Sequence, residues 1–187
     1  MKSILPYSVF YNILTDGEIK QLIDYFNSLD EAEDITNNTW DIINEIITPI
    51  KYSSSSRRQV RITGIHKNKF PSISNKIKKL FDKVLGGDSY LEYPHFLTEY
   101  KTNSLHKPHK DYKSNEWYRE KVVTIQLSDS SDYTGGDLKI GNHILPREKG
   151  CALIYNGKDI HEVTEVTNGI RFSLTECAGI KPKETLL

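Results

Sequence analysis

Two histidines and an aspartate carry the first chemical suggestion in this sequence. In His109-Lys110-Asp111 an imidazole and a carboxylate stand at positions i and i+2. On a strand such residues face the same side, about 6.6 Å apart at roughly 3.3 Å per residue. Both can then lean onto one ion, with bonds of about 2.0–2.2 Å by analogy with zinc sites. His161 follows fifty residues later, at the start of a strand-like run. Two imidazoles and one carboxylate leave three neighbouring coordination positions free, the facial arrangement that suits non-haem Fe(II). A second anchor stands ten residues further on, where Arg171 shares a strand face with Ser173. A guanidinium binds a carboxylate bidentately, and a hydroxyl beside it adds a donor. Of the other histidines, His106 reads as a pocket-wall residue or a substrate contact, and His66, His95 and His143 as structural or exposed.

The elements that must position these groups change character along the chain. Thr15-x-x-Glu18 is a capping box that opens a helix with Ile19, Leu22, Ile23, Phe26 and Leu29 on one stripe. Residues 40–50 place Trp40, Ile43, Ile47 and Ile50 on one side, a helix whose isoleucine content leaves a strand open. The four serines 53–56 read as a loop and 59–65 as an alternating strand. Residues 71–85 carry Ile73, Ile77, Leu80, Phe81 and Leu85 at helical spacing, stopped by Gly86-Gly87. After Gly87, β-branched and aromatic runs alternate with turn signals, which predicts strands at 90–100, 122–127, 137–140, 152–155, 163–166 and 170–175. Helices first and antiparallel strands after suggest a β-sandwich or barrel with helices outside it.

At this point the pattern resembles the Fe(II) and 2-oxoglutarate dependent dioxygenases, in particular the prolyl 4-hydroxylase-like group. The resemblance covers roughly residues 90–179. Its elements are Tyr100, His109-x-Asp111, Tyr133-Thr134-Gly135-Gly136-Asp137-Leu138, Pro146-x-x-x-Gly150 and the run His161-Glu162-Val163 through Val166, Gly169, Arg171 and Ser173. It implies a mainly β protein with flanking helices, in which a double-stranded β-helix (jelly-roll) core spans 88–179 and a mainly helical support region spans 1–87, all in one domain. By the same resemblance His109, Asp111 and His161 bind Fe(II), Arg171 pairs with the distal carboxylate of 2-oxoglutarate, and Tyr100 and Ser173 are supporting donors. The implied reaction consumes dioxygen and 2-oxoglutarate, releases succinate and carbon dioxide, and hydroxylates a C–H bond, with ascorbate in support. Halogenating relatives lack a carboxylate at the position of Asp111, so its presence favours hydroxylation. This chain departs from the pattern at His106, where prolyl hydroxylases commonly have a tyrosine, and at Leu138, where plant-like relatives have a hydroxyl residue.

A peptidyl-prolyl substrate is the leading expectation; a free amino acid, another small molecule or a nucleic-acid base is the alternative. A proline segment would bind extended, and Thr124 and Gln126, at one parity on their strand, either line such a groove or have structural roles. The HxD…H set also fits a cupin-like zinc or manganese site, and a silent binding module is a third reading. Arg171 and Ser173 discriminate, because a hydrolytic or structural metal site needs no carboxylate clamp.

Length and composition bound these readings. At 187 residues and 21.5 kDa, with 37% hydrophobic and 27% charged residues, the chain has too much core-forming material for disorder and too much charge for a membrane protein. No run approaches about 18 apolar residues, and Pro6 interrupts any signal-peptide core, so a cytoplasmic protein is expected. Cys151 and Cys177 read as buried reduced thiols. The zero net charge is uneven. Residues 1–50 carry two basic and nine acidic groups, whereas 51–110 carry thirteen and four. Arg57, Arg58, Arg61, Lys67, Lys69, Lys76, Lys78, Lys79 and Lys83 are therefore either a patch for an acidic partner, nucleic acid included, or a basic element packed beside an acidic one. The Arg-x-Asn ending seen in nucleic-acid demethylases of this superfamily is absent after Arg171. Nothing in the sequence signals an oligomeric state.

Overall fold

The computed structural model describes residues 5–29, 51–55, 58–112 and 117–181. Along the chain run β1 (Tyr7–Phe10), α1 (Asp16–Asn27), β2 (Lys51–Ser55), β3 (Arg58–Ile65), α2 (Pro71–Leu85), β4 (Tyr90–Tyr100), β5 (Leu105–His109), a 3-10 turn (Trp117–Arg119) and β6 (Lys121–Gln126). There follow β7 (Tyr133–Gly135), β8 (Leu138–Ile140), β9 (His143–Ile144), β10 (Ala152–Asn156), β11 (His161–Val163), β12 (Val166–Gly169) and β13 (Arg171–Gly179). Among the described residues no helix is long and apolar enough to cross a membrane.

The predicted capping box starts α1. Thr15 Oγ1 accepts from the Glu18 amide at 3.3 Å, and the Glu18 carboxylate accepts from the Thr15 amide at 2.9 Å, which satisfies two otherwise orphaned donors. Ile19, Leu22 and Phe26 turn inward. α2 has the predicted bounds, opening on Pro71 and ending at Gly86, whose φ of 73° is left-handed. Both helices bury their apolar faces in one cluster with Leu97, Val123, Ile125, Phe172 and Leu174. Phe26 meets Phe172 edge-on at 5.4 Å. Within the basic segment, Lys76 is bonded to Glu18 at 2.7 Å, Arg61 to Glu99 at 2.5 Å and Lys78 to Asp82 and Asp88.

The strands pair antiparallel in the order β1-β10-β6-β13-β4-β3-β5-β11-β8-β9, with β2 beside β3, and β7 pairs with β12 separately. Strand β3 joins two layers, because Arg61–Ile65 pair with β4 while Arg58 and Gln59 pair with β5. Alternation along β13 then assigns each side chain a layer. Phe172 and Leu174 face the helices. Arg171, Ser173 and Cys177 face the second core, which holds Val60, Ile62, Leu138, Ile140, Leu153, Val163 and Val166.

Three expectations need correction. The described part of 1–87 is mixed rather than mainly helical, because β1, β2 and β3 accompany α1 and α2 there; the candidate helix at 40–50 lies outside the described residues. Ser53–Ser55 are strand rather than loop, since their backbone pairs with Val60, Gln59 and Arg58. The run 163–166 is not one strand: Val163 ends β11, Val166 begins β12, and Thr164 and Glu165 link them. The Thr164 amide bonds the Asp137 carbonyl at 3.0 Å, and the Glu165 carbonyl accepts from Gly136 at 3.0 Å.

Candidate metal centre and its anion anchor

His109 ends β5 and His161 begins β11, and the two are directly opposed cross-strand partners. Antiparallel pairing therefore brings together residues fifty-two positions apart. Each ring is oriented by its own backbone. His109 Nδ1 donates to the Lys107 carbonyl at 2.8 Å, and His161 Nδ1 donates to the Asp159 carbonyl at 3.0 Å. Those bonds fix the tautomer that leaves Nε2 with a free lone pair.

Asp111 lies past the end of β5, so its shared direction with His109 does not come from strand parity as the spacing suggested. Its oxygens are nonetheless 3.5 Å from His109 Nε2 and 3.3 Å from His161 Nε2, and the three ligand atoms lie within 4.8 Å of one another. Burial works to raise the Asp111 carboxyl, but the hydrogen bonds and charge of the two imidazoles prevail and hold it well below the usual range. Conversely, burial works to lower His161 while Asp111 holds it above its ordinary value. An ionised carboxylate and two Nε2 atoms converging on one point are a donor set for a divalent metal, and this set suits Fe(II).

Arg171 is fully buried. Its Nη2 donates to Gln126 Oε1 at 2.9 Å and its Nη1 to Ser173 Oγ at 3.4 Å, while Nε has no hydrogen-bond partner. Tyr100, its cross-strand partner, places its ring 5.0 Å from the guanidinium carbon. Among the described residues no carboxylate pairs with this cation. A buried guanidinium with an orphaned donor and no counter-ion is costly, and an anionic ligand such as the distal carboxylate of 2-oxoglutarate fits it. The Gly-Gly motif makes room here, because a Cβ at Gly136, where φ is 63°, would meet Val166 Cγ2 at 2.8 Å and Arg171 Cδ at 3.2 Å.

All the predicted site residues converge on this layer: His109, Asp111 and His161 at one centre, and Arg171, Ser173 and Tyr100 around the guanidinium. Gln126 belongs with the second group and not with an exposed groove, for it is buried against Arg171. Its signal in the sequence is the polar parity of Thr124 and Gln126 within an apolar run. Thr124 is likewise internal, its hydroxyl 3.2 Å from Tyr155 Oη. Tyr155 escaped the sequence reading, yet its ring is 4.9 Å from that of His161. Burial, with the Asp111 charge adding, pushes its phenol well above the ordinary value. His106 stacks on the His109 ring at 3.7 Å, which places it at the centre's wall. Both cysteines are free, and burial pushes the Cys151 thiol up to about 12.

Residues 95–176 match the 2OG-Fe(II) oxygenase superfamily. A PKHD-type hydroxylase of Caulobacter sp. (strain K31) is 42% identical over 53 residues, a stretch covering 26% of this chain and 23% of that protein. The match thus spans about a quarter of the curated relative's length. A Pseudomonas putida prolyl-4-hydroxylase has a similar structure, with a TM-score of 0.63 at 16% identity over 95% of this chain and 94% of that one. The viral collagen prolyl hydroxylase of Paramecium Bursaria Chlorella virus-1, solved as its 2OG complex, gives a TM-score of 0.67 at 14% identity over 94% and 97%. The mainly β architecture, with two helices among the described residues, is therefore the jelly-roll fold of prolyl 4-hydroxylases.

Proposed function

We propose that this chain, a member of the 2OG-Fe(II) oxygenase superfamily through residues 95–176, is an Fe(II)- and 2-oxoglutarate-dependent hydroxylase whose substrate is a prolyl residue of a peptide or protein. One observation carries the reading of the reaction: the His109, Asp111 and His161 cluster shares a core layer with a buried arginine that has no carboxylate partner among the described residues. The first would hold the iron. The second would hold the distal carboxylate of the oxo acid through Arg171, assisted by Ser173 and Gln126. Bound together and supplied with dioxygen, the two would support an oxidative decarboxylation in which one oxygen atom of O2 enters succinate, carbon dioxide is released, and the other oxygen atom is delivered to a C–H bond.

The chain's own residues supply orientation and a dry setting. The Lys107 and Asp159 carbonyls keep both imidazoles in the ligand tautomer. Leu138, Leu153 and Val163 are buried in the core that this layer faces, and excluding water there strengthens each charge interaction. Tyr155, neutral and bonded to Thr124, walls the centre without contributing a competing anion.

The prolyl assignment is supported by the fold shared with prolyl 4-hydroxylases and by the low ordering cost of proline in an extended segment. The test is succinate formation with Fe(II), ascorbate and 2-oxoglutarate against panels of proline peptides, free amino acids and oligonucleotides. A proline peptide should gain the mass of one oxygen on the ring. Stimulation by an amino acid or oligonucleotide alone would transfer the assignment to that class.

A further inference from the structure

Asp111 is the one member of the cluster that no strand holds, and a single peptide group in a distant turn holds it instead. The Gly157 carbonyl accepts the amide hydrogens of Asp111 at 3.1 Å and Tyr112 at 3.0 Å, while the Gly157 amide donates to the Glu120 carbonyl at 2.9 Å. Both ends of the segment 111–120 thus close on one residue. Only glycine fits there, because a Cβ would meet the Arg119 carbonyl oxygen at 2.1 Å and the Tyr112 Cβ at 3.5 Å. The requirement is close approach, since the Gly157 backbone is outside the left-handed region.

The same turn orients the second histidine. The Asp159 amide bonds the Asn156 carbonyl at 3.0 Å, and the Asp159 carbonyl takes the His161 Nδ1 proton. The Asn156 side chain locks the turn from two directions, donating to the Asp159 carboxylate at 3.1 Å and accepting from Lys121 Nζ at 2.5 Å. Arg119 braces the far end of the segment. Its guanidinium grips Glu92 through two bonds of 2.6 Å and reaches the Asp111 carbonyl with Nη1 at 3.4 Å.

We infer that the turn 156–159 is the template that sets the Asp111 carboxylate against the His161 imidazole, with Gly157 as its central positioning residue. The inference rests on the metal-binding role proposed above for His109, Asp111 and His161. Two ligands from different segments of chain share one turn, so their separation is fixed without placing a further charge or side chain at the centre. Groups that orient metal ligands typically change affinity by about 10–100-fold when lost.

The experiment is Mn(II) titration followed by electron paramagnetic resonance, with Co(II) absorption spectra, on the full chain and its Gly157→Ala, Asn156→Ala and His161→Ala variants. The melting temperature of each metal-free protein is recorded alongside. Gly157→Ala should weaken Mn(II) by about 10–100-fold and change the Co(II) bands, since its new methyl group must displace the Arg119 carbonyl or move the turn away from it. Asn156→Ala keeps the Gly157 peptide but frees the turn, and should weaken Mn(II) about threefold or more; it decides the matter if Gly157→Ala does not fold. Wild-type affinity and an unchanged Co(II) spectrum in the folded variants would overturn the inference. His161→Ala separates the two levels. If it also binds Mn(II) as the wild type does, the metal assignment itself fails. If it alone loses Mn(II), only the template role is overturned.

Discussion

Two histidine–carboxylate clusters, one partly and one fully buried, lie on opposite faces of β13, built from the same residue types and fit for different work. On the inner face, His109, Asp111 and His161 anchor their rings through Nδ1 to backbone carbonyls and aim Nε2 and carboxylate oxygens at one point. On the helix-facing side, His95 Nε2 lies 2.8 Å from Ser74 Oγ, and its Nδ1 bonds the Glu176 carboxylate. Glu176 also accepts the Cys177 amide at 2.8 Å. This second cluster closes on itself and ties β4, β13 and α2 together. The difference teaches that lone-pair direction, and not residue type, separates a ligand set from a structural network. The charges differ too: two imidazoles hold Asp111 ionised, whereas burial without such a pair pushes Glu176 well above its ordinary value.

Losing a histidine from each cluster should have opposite consequences. His161→Ala should abolish Fe(II) binding and reduce 2-oxoglutarate turnover by at least about 100-fold, and the loss of its ring contact with Tyr155 should lower the melting temperature less than His95→Ala does. Equilibrium dialysis with Fe(II) and a succinate assay measure both. Full turnover in this variant would mean the inner cluster is as structural as the outer one.

Arg171 extends the contrast, since it is a buried charge awaiting a partner rather than one already paired. Arg171→Met should weaken 2-oxoglutarate binding by about 2–5 kcal/mol. The same change should leave ligand-free stability equal or about 1 kcal/mol higher, because an uncompensated buried cation is removed. Calorimetric titration and chemical denaturation give the two numbers. A large loss of stability with unchanged affinity would assign Arg171 to the core instead.

How much of this could be read from residues alone differs between the faces. The metal set and Arg171–Ser173 were legible because their order and spacing are specific, and α2 and β4 because their periodicities are long. The Asp111 position was legible in its result and not in its cause: parity suggested a shared strand face, while the carboxylate is held by Gly157, 46 residues away. β2 was hidden because a serine run lacks any side-chain alternation, and its pairing with β3 is a backbone property. The outer cluster was illegible for a similar reason. Ser74, His95 and Glu176 carry no motif, and only the packing of α2 on the sheet brings them together.

His95→Ala should then act oppositely to His161→Ala. It leaves Ser74 and Glu176 without their buried partner and opens a void, at a cost of about 2–4 kcal/mol. Fe(II) affinity measured well below the melting temperature should be unchanged. Denaturant melts and metal titration on the same preparation make the test, and weakened Fe(II) binding would show that the faces are coupled.

A last expected effect is the outer cluster's share of the pH dependence of stability, which adds to that of His161, held above its ordinary value by Asp111. Burial, with His66 adding, lowers His95 to about 4; burial, with Glu92 opposing the carboxylate and Arg119 favouring it, raises Glu176. The stabilising share of His95 is present above its unfolded value of about 6.5 and is lost as pH falls toward 4. That of Glu176 is present below about 4.5 and is lost as pH rises toward its folded value. Between about 4.5 and 6.5 the folded pair and the unfolded chain each hold one proton, and the two trends cancel. Above about 6.5 the unfolded histidine releases its proton while the folded pair keeps one, so stability should fall by about 1.4 kcal/mol per pH unit until Glu176 ionises. Glu176→Gln removes the retained proton, and its stability above pH 6.5 should be flat relative to the wild type. Urea denaturation from about pH 5 to 9 compares the two profiles, and parallel curves above 6.5 would mean that the pair holds no extra proton in the folded protein.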